Sequence, residues 1–320
     1  MVMDHMAYKD LDLQRVAKIA RYYPAVKGGA RGMPISMHVA LCDACFNRCI
    51  MCDHPSRQTM ARMNPFDWLE KLRWFAASGL ESVCYAGGDP MAYSDFNQIM
   101  EGHVLLDVAF GMTITGYVPK FIDMGLMAKA EWVRVSLDAV TPEEYEKVRG
   151  KTPVEKVLKS IELMVQNKVK VGLGITLHAD NVDDLPNVMA FAERLGITDI
   201  ETHHIVPDSG ARAVRVPEKW NRKIEPFQNC HAALYQLYID AKGDVYPCCI
   251  TAGDAQAAPQ AYALGNIFTD SWRELIWPKV VEYSKLNIKD LPEICRTCCA
   301  QRLSQINKVC GEIHTGKSFF

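Results

Sequence analysis

The chain has 320 residues, of which 49% are apolar, and its 36 Lys and Arg residues nearly balance 38 Asp and Glu residues. This length accommodates one large α/β domain and a small appended one, and a net charge of −2 gives no reason to expect a nucleic acid or a membrane surface as partner. With neither a signal-peptide core nor an apolar run of bilayer length, we expect a cytoplasmic protein, in which the twelve cysteines indicate metal binding or catalysis rather than disulfides.

Strand-like and helix-like segments alternate from Ile35 onward, after a helical pattern over Asp10–Val26. Helix starts are marked between the strands by Asn64-Pro65, Ser94-Asp95, Thr141-Pro142 and Thr152-Pro153. The predicted strands are Ile35–Leu41, Ser82–Ala86, Met112–Tyr117, Trp132–Leu137, Val169–Leu177 and Asp199–Ile205. Six strand–helix units predict a parallel sheet of the α/β class, curled into a partial (β/α)6 TIM-like barrel with its chemistry at the C-terminal ends of the strands.

Three cysteines directly follow the first predicted strand, in the run Cys45-Phe46-Asn47-Arg48-Cys49-Ile50-Met51-Cys52. A cubane [4Fe–4S] cluster takes four ligands, normally thiolates. Three cysteines with no fourth in register hold three irons and leave one iron open to a ligand that is not protein. The spacing therefore predicts a reactive iron–sulfur site. Two alternatives remain, namely a zinc site to which Cys49 and Cys52 supply half of the ligands, and three unconnected buried thiols.

This C-x3-C-x2-C run after the first barrel strand resembles the radical S-adenosylmethionine (SAM) superfamily. The resemblance implies that Cys45, Cys49 and Cys52 hold a [4Fe–4S] cluster whose open iron is chelated by the amino and carboxylate groups of SAM. The sequence departs from the family in two ways: Met51 stands where an aromatic residue is usual, and Cys42 is an extra thiol that the motif does not use. The resemblance extends from about Ile35 to Cys299.

Two later segments resemble SAM-contacting parts of the same superfamily. The loop Gly87-Gly88-Asp89-Pro90 resembles the family's G-G-E-P loop, which contacts the amino group of SAM, although an ordinary Gly-Pro turn is the alternative. Arg134–Ala139 resembles the ribose-contacting segment, with Ser136 and Asp138 as candidate hydroxyl partners, and a surface strand end is the alternative. Arg149 follows where relatives often place a basic residue near the SAM carboxylate. Weaker candidates for the mouth of the barrel are His178, Asn181, His203, His204 and Asp208.

The composition changes after Pro207, and a β-hairpin is predicted further along the chain. Leu234–Ile239 and Val245–Pro247 flank a turn that contains Gly243. We therefore divide the chain into an N-terminal helical cap (1–34), a partial barrel (35–207), a linker (208–227) and a small C-terminal α+β iron–sulfur module (228–320).

Cysteines occur on both sides of this hairpin and after it. The order Cys230, Cys248, Cys295 and Cys298 resembles the Twitch form of the SPASM auxiliary-cluster modules of radical SAM enzymes, and the resemblance implies one closed auxiliary [4Fe–4S] cluster. Ser304 stands where the larger SPASM set needs its next cysteine. A zinc ribbon is the alternative, and Cys299 is an alternative ligand to Cys298.

Seven predicted ligands leave five of the twelve cysteines. Cys84 is expected to be a buried apolar residue, and Cys42 and Cys310 have no assigned partner. Cys249 adjoins a predicted ligand at the hairpin end that we expect to face the barrel mouth. Its thiol is a candidate hydrogen-atom donor to a carbon radical of the substrate, and an idle neighbour of a ligand is the alternative.

Small Twitch-type enzymes of aminoglycoside biosynthesis resemble this chain in size and cysteine layout, and the neomycin-type epimerases resemble it most. This resemblance implies an epimerase in which a 5′-deoxyadenosyl radical removes hydrogen from a sugar carbon of a cationic substrate and Cys249 returns hydrogen from the opposite face. It also implies a flavodoxin- or ferredoxin-type reductant as partner. Asp53, Asp208 and Glu312 are available to bind the ammonium groups of such a sugar.

Three other functions remain open. A dehydrogenase would use the auxiliary cluster to accept an electron from the substrate radical. A peptide-modifying radical SAM enzyme is the second, although the stretch before Ile35 is too short for an independent peptide-binding domain and the SPASM set is incomplete. The third is a non-enzymatic metal-binding or electron-transfer protein.

Overall fold

The computed structural model describes residues 13–52, 60–179, 181–204, 229–253, 261–296 and 306–310. The strands are β1 (Ser36–Ala40), β2 (Ser82–Ala86), β3 (Ala109–Ile114), β4 (Trp132–Ser136), β5 (Val171–Leu177), β6 (Ile200–His204), β7 (Gln236–Ile239), β8 (Asp244–Tyr246) and β9 (Gly265–Asn266). Six of the residues singled out above, and the predicted linker 208–227, lie outside the described residues: Asp53, Asp208, Cys298, Cys299, Ser304 and Glu312.

The helices begin close to the predicted caps. They are α1 (Leu13–Val26), α2 (Pro65–Ala77), α3 (Phe96–Leu106), α4 (Met124–Met127), α5 (Pro142–Arg149), α6 (Val154–Gln166), α7 (Leu185–Arg194), α8 (Ala232–Tyr235), α9 (Cys249–Ala252), α10 (Trp277–Lys285) and α11 (Glu293–Arg296). The side chain of Asn64 caps α2 by accepting hydrogen bonds from two backbone amides, as the sequence predicts. In the described parts of the chain, no helix is long and apolar enough to cross a bilayer.

The nine strands form one sheet in the order β6-β5-β4-β3-β2-β1-β7-β8-β9. Strands β1 to β6 run parallel to their neighbours, and helices lie in the connections between them. A parallel sheet with helical crossovers buries one face against its own helices. The partial (β/α)6 barrel that the alternating pattern predicts is therefore confirmed.

The third strand differs from its prediction. It spans Ala109–Ile114, three residues earlier than the predicted Met112–Tyr117. It begins earlier because Ala109 already pairs with Ser82 of β2. It ends earlier because the backbone amide of Thr115 donates a hydrogen bond to the carboxylate of Asp89 at 3.3 Å. Both causes are contacts with another part of the chain, which an apolar run does not reveal.

The predicted hairpin exists, but it is not separate from the barrel sheet. Strand β7 pairs in parallel with β1, with Gln236 opposite Ser36, and β8 pairs antiparallel with β7. Oδ1 of Asp240 closes the turn by accepting hydrogen bonds from the amides of Lys242 and Asp244, at 2.9 and 3.0 Å. The C-terminal module therefore extends the sheet of the barrel, and the end of β1 lies between the two.

Large apolar side chains cover the outward face of the sheet. Strand pairing aligns them in two buried rows, namely Met37, Val83 and Phe110, and then Val39, Tyr85 and Met112. Trp68 of α2 packs on this face and donates from Nε1 to the hydroxyl of Tyr85 at 2.9 Å. The main hydrophobic core therefore lies between the sheet and the helices.

The inward face carries mostly small and polar side chains. The same pairing aligns Ser36, Ser82 and Ala109, and then His38, Cys84 and Gly111. Because most of these side chains are too small to meet across the barrel, they line a cavity of about 400 Å³. Ile19 and Tyr22 of α1 also line it, so that α1 closes the N-terminal end of the lumen. A cavity of this size accommodates a side chain or a small molecule inside the barrel.

Candidate active site

The cysteines of the C-x3-C-x2-C run lie on one irregular loop after β1, residues 45–52, which we call the cluster loop. Cys49 is buried, whereas Cys45 and Cys52 are partly exposed. Among the described residues, no three Cys, His, Asp or Glu side chains already stand at metal-ligand spacing. The donor set fits an iron–sulfur cluster nonetheless, because it consists of three thiols and an arginine N–H group donates to one of them.

The loop after β2 packs against the chain that leads into the cluster loop. The amide of Asp89 donates to the carbonyl oxygen of Ala44 at 2.7 Å. A Cβ atom on Gly88 would lie 2.3 Å from that same oxygen, and a Cβ atom on Gly87 would lie 2.3 Å from Cβ of Ala40. Only glycine permits so close an approach. The two strand-end loops therefore form one surface beside the three cysteines.

Asp89 is predicted to contact the amino group of SAM, yet its side chain is only 1% exposed. Its Oδ1 accepts a hydrogen bond from the amide of Met91 at 3.0 Å, and its Oδ2 accepts from the amide and the hydroxyl of Thr115. Burial raises the pKa of Asp89 to about 6, although these hydrogen bonds oppose the rise. Asp89 ties the β2 loop, in which Pro90 begins a buried turn, to the end of β3. Its contact with SAM stays a prediction.

Asp138 and Arg149, which the resemblance assigns to separate parts of SAM, form a buried ion pair with each other. Nε of Arg149 donates to Oδ2 of Asp138 at 2.5 Å, and the amide of Thr176 donates to Oδ1 at 2.7 Å. Nη1 of Arg149 donates to Sγ of Cys49 at 3.6 Å. Burial alone would lower the pKa of Arg149. The charges of Asp138 and Cys49 have the larger opposite effect, so the pKa lies above its ordinary value. The ribose and carboxylate contacts of these two residues stay predictions.

Ser136 ends β4 and is partly exposed, on the same strand face as Arg134 two residues earlier. The sequence analysis named no role for Arg134. In the structure its guanidinium pairs with Glu201 and, at 3.3 Å, with Asp199. Its side chain passes over Gly174, where an added Cβ atom would lie 3.2 Å from Cδ. Because alternate residues of a strand share one face, the two-residue spacing from Ser136 could have indicated that Arg134 also faces the inside of the barrel.

The polar residues after β5 join strand ends instead of lining the mouth. Nδ2 of Asn181 donates to the carbonyl oxygens of Asp138 and Thr176, at 3.1 and 2.7 Å, and Oδ1 accepts from the amide of His178 at 2.9 Å. Asn181 and His178 are both buried. His203 and His204 close β6, and their assignment to the mouth stays a prediction.

A second group of thiols lies in the C-terminal module, around the hydroxyl of Tyr283. This hydroxyl lies 3.4 Å from Sγ of Cys295. Burial raises the pKa of Tyr283, and Cys295, Cys248 and Cys230 raise it further, which indicates that all three thiols lie near this hydroxyl. Burial also raises the pKa of Cys230 to about 11. With Cys298 outside the described residues, the complete auxiliary ligand set stays a prediction.

The sequence analysis missed two neighbours of these thiols. Tyr283 comes from α10, and Asn307 comes from the helical residues 306–310 and donates from Nδ2 to Sγ of Cys230 at 3.5 Å. Neither residue belongs to a motif, and Asn307 is 77 positions from the sulfur it contacts. No local pattern would have identified them.

Cys248 and Cys249 face different surroundings although they are adjacent. Cys248 packs beside Cys230 in the auxiliary group. Cys249 is partly exposed and packs against a cluster that includes Ala40, at the end of β1, and Tyr238. The hydroxyl of Tyr238 lies 3.5 Å from the point that a Cβ atom on Gly87 would occupy. Cys249 therefore lies on the side of the auxiliary group that faces the loops after β1 and β2.

The remaining described cysteines are all buried. Sγ of Cys42 donates to the carbonyl oxygens of Ala44 and Asp89, at 3.8 and 3.7 Å, and so links the two strand-end loops. Cys84 is buried as expected and lines the lumen cavity. Sγ of Cys310 donates to the hydroxyl of Tyr235 at 3.6 Å.

A partial barrel with three thiols at the end of β1 and a second group of thiols in an appended module defines an iron–sulfur enzyme. Family models agree with this class. Residues 39–192 match the radical SAM superfamily, and residues 230–299 match the iron–sulfur cluster-binding domain called SPASM. The chain therefore carries a radical SAM domain followed by a SPASM domain. Its cofactors are SAM, a [4Fe–4S] cluster in the barrel and auxiliary iron–sulfur cluster binding in the C-terminal module.

Individual relatives share the fold but act on different substrates. A probable GTP 3′,8-cyclase of Methanococcus aeolicus is 24% identical over 174 residues, which are 51% of this chain and 56% of the relative. A PqqA peptide cyclase of Granulibacter bethesdensis is 22% identical over 177 residues, which are 54% of this chain and 47% of the relative. Each match thus spans about half the length of the curated relative.

Among solved structures, Streptococcus suis SuiB bound to the precursor peptide SuiA superposes with a TM-score of 0.62 at 16% identity. The superposition covers 82% of this chain and 71% of SuiB, and it bears on the fold alone. These proteins are named for nucleotide and peptide substrates, so the expected kinship with aminoglycoside epimerases is not shown.

Proposed function

We propose that this protein is a radical SAM enzyme that modifies a peptide, with one residue of the peptide inserted into the barrel lumen. When bound, SAM and its cluster supply a 5′-deoxyadenosyl radical that removes a hydrogen atom from the substrate. The peptide-directed activity of PqqA peptide cyclase and the peptide bound to SuiB favour this substrate class. The sequence analysis had ranked it below a cationic sugar.

One observation carries the choice between the two substrates. A polycationic sugar needs unpaired carboxylates to bind its ammonium groups. In the described part of the chain, several carboxylates of the barrel already have cationic partners: Asp138 with Arg149, Glu201 and Asp199 with Arg134, and Glu131 with Lys170. Asp89 has no such partner, but its carboxylate is buried and accepts hydrogen bonds from Met91 and Thr115. Apart from Glu131 and His38, the cavity is lined by uncharged residues, with apolar and aromatic side chains such as Ile19, Phe110 and Trp132 prominent, which suits a single uncharged side chain better than a polycation.

Substrate-dependent SAM cleavage tests this proposal. Anaerobically reconstituted protein is mixed with SAM, dithionite and either a random-sequence peptide library or aminoglycosides of the neomycin type. Deoxyadenosine above the substrate-free background, with a matching mass change in a peptide, is the expected result. Stimulation by aminoglycosides alone would return the assignment to the sugar epimerase. The Cys49→Ala variant is the control for background cleavage.

The position of Cys249, which begins α9 shortly after the hairpin, favours one reaction type within this proposal, which is inversion of a carbon centre. Cys249 would give its S–H hydrogen to the substrate radical from the face opposite the abstracted hydrogen. The sulfur radical that remains takes one electron from a flavodoxin- or ferredoxin-type reductant and one proton from solvent. The alternative is oxidation, in which the substrate radical loses an electron and a proton and no hydrogen returns.

Isotope incorporation separates the two reactions. In deuterated water an exchangeable Cys249 thiol places one deuterium at the inverted carbon, whereas the Cys249→Ala variant forms deoxyadenosine but loses inversion. A product two hydrogens lighter than the substrate, formed equally by both proteins, identifies a dehydrogenase. The Cys310→Ala variant is the control for a thiol that contacts Tyr235, away from the cluster loop.

A further inference from the structure

The cluster loop is held by a segment 100 residues away in sequence, residues 145–152, which comprises the end of α5 and the turn after it. Two backbone hydrogen bonds of 3.0 Å join the segments, from the amide of Arg48 to the carbonyl of Arg149 and from the amide of Ile50 to the carbonyl of Val148. Both amides flank Cys49. The position of this cysteine therefore depends directly on the end of α5.

Side chains reinforce the same contact. Nδ2 of Asn47 donates to the hydroxyl of Tyr145 at 3.1 Å. The amide of Thr152 donates to Oδ1 of Asn47, and its hydroxyl donates to the carbonyl of Phe46, both at 3.3 Å. Together with the backbone pair, these bonds hold the cluster loop between Phe46 and Ile50 against the end of α5.

The guanidinium of Arg149 lies at the centre of this contact. Its side chain is 8% exposed and that of its partner Asp138 is 0% exposed. Asp138 is in turn held by the amide of Thr176 at 2.7 Å. Nε faces this carboxylate, and Nη1 faces the sulfur of Cys49 at 3.6 Å. A buried ion pair contributes little net stability, so its presence is better explained by what it positions.

We propose that Arg149 is a positioning residue for the barrel cluster, and that Asp138 holds its guanidinium so that an N–H group points at the sulfur of Cys49. Hydrogen bonds to cluster sulfurs and nearby positive charge favour the reduced, more negative state of the cluster. Arg149 therefore raises the reduction potential of the SAM cluster and slows loss of its iron. This assignment differs from the contact with the SAM carboxylate that the resemblance implies. The proposal for Arg149 depends on the presence of a radical SAM cluster and does not depend on the substrate being a peptide.

The test measures the holoenzyme without substrate. Arg149→Gln removes the charge and the fork of N–H donors, and Arg194→Gln is the matched control, because Arg194 makes an exposed ion pair with Glu162 at 3.0 Å. The midpoint potential is read from EPR-monitored redox titration of the signal that changes on SAM addition. Iron loss to a chelator and the dissociation constant of SAM are measured in parallel. The unchanged auxiliary signal serves as an internal reference in every sample.

The expected result is a more negative midpoint potential and about tenfold faster iron loss in Arg149→Gln, with neither change in Arg194→Gln. Arg149→Lys is the second variant if Arg149→Gln does not fold, because it keeps the charge but a single ammonium cannot reproduce the fork. It should also lose iron faster than wild type. An unchanged potential and iron-loss rate, with only the SAM dissociation constant raised, would overturn the proposal and return Arg149 to the SAM carboxylate.

Discussion

The two groups of thiols differ in what surrounds them. At the cluster loop, Cys49 lies beside a buried guanidinium, and Cys45 and Cys52 are partly exposed. In the auxiliary group, two neutral groups contact the sulfurs, the phenol of Tyr283 at Cys295 and the carboxamide of Asn307 at Cys230. Net charge, hydrogen bonds and solvent exposure set the potential of an iron–sulfur cluster. The difference suits the first group for reaction with a small molecule and the second for holding or passing an electron.

The largest expected effect is selective loss of one cluster. Reconstituted wild-type protein should hold about eight irons if both sites carry cubanes. Cys49→Ser should remove the signal that responds to SAM, because three thiolates are already the minimum for an open site, and it should leave the auxiliary signal. Cys230→Ser should do the reverse. Iron analysis with EPR checks both, and simultaneous loss of both signals in either variant would show that the two groups are not independent.

The next effect is on stability. Asp138→Asn leaves the buried guanidinium of Arg149 without its charge partner and should lower the free energy of unfolding by about 3–5 kcal/mol. Asp199→Asn is the control, because the side chain of Asp199 is 59% exposed and an exposed pair such as that with Arg134 contributes about 1 kcal/mol or less. Urea unfolding of both variants checks the prediction. Equal losses of unfolding free energy in the two variants would mean that the loss of Asp138 from the buried pair costs no more than the loss of Asp199 from the exposed pair.

A pH effect should come from Asp89. Burial raises its pKa to about 6 in the folded protein, above the ordinary value of 3.8, so the folded state binds its proton more readily than the unfolded state. Stability from this group is therefore present below about pH 4 and is lost as the pH rises to about 6, by about 2–3 kcal/mol.

Asp89→Asn removes this titration. Urea midpoints of metal-free wild type and variant, measured from pH 4 to 7, should converge at the acidic end and diverge towards neutral pH in favour of the variant. A constant difference across the range would contradict the raised pKa.

The smallest expected effect is at the auxiliary group. Tyr283→Phe removes the hydroxyl that lies 3.4 Å from Sγ of Cys295, which should cost about 0.5–1.5 kcal/mol of stability. It should also make the auxiliary potential more negative while the SAM-responsive signal stays unchanged. A shift of the SAM-responsive signal instead would mean that the two environments are coupled.

The order of the strands and the spacing of Cys45, Cys49 and Cys52 were predictable because alternating apolar runs and short motifs are local. Contacts between distant segments were not. The resemblance assigned Asp138 to the ribose of SAM, which stays a prediction, but it did not reveal the ion pair with Arg149 at the end of α5. The pairing of β7 with β1 joins segments 200 residues apart, Ser36 with Gln236, and no pattern within either strand specifies it.

Side-chain contacts could not be predicted for the same reason. The carboxylate of Asp89 accepts a hydrogen bond from Thr115, 26 residues away, while its predicted contact with the amino group of SAM stays a prediction. Tyr283 and Asn307 reach the auxiliary thiols from helices that no motif marks. Charge pairing in the barrel, on which the proposed preference for a peptide over a polycationic sugar rests, depends on Arg134 of β4 reaching Glu201 of β6.

EPR spectroscopy of the reduced holoenzyme with and without SAM tests the central claim most directly. An open iron at the cluster loop predicts that SAM changes one of the reduced-cluster signals and leaves the auxiliary signal as it was, and that the change is absent in Cys49→Ser. Identical spectra with and without SAM in wild-type protein of full iron content would contradict it.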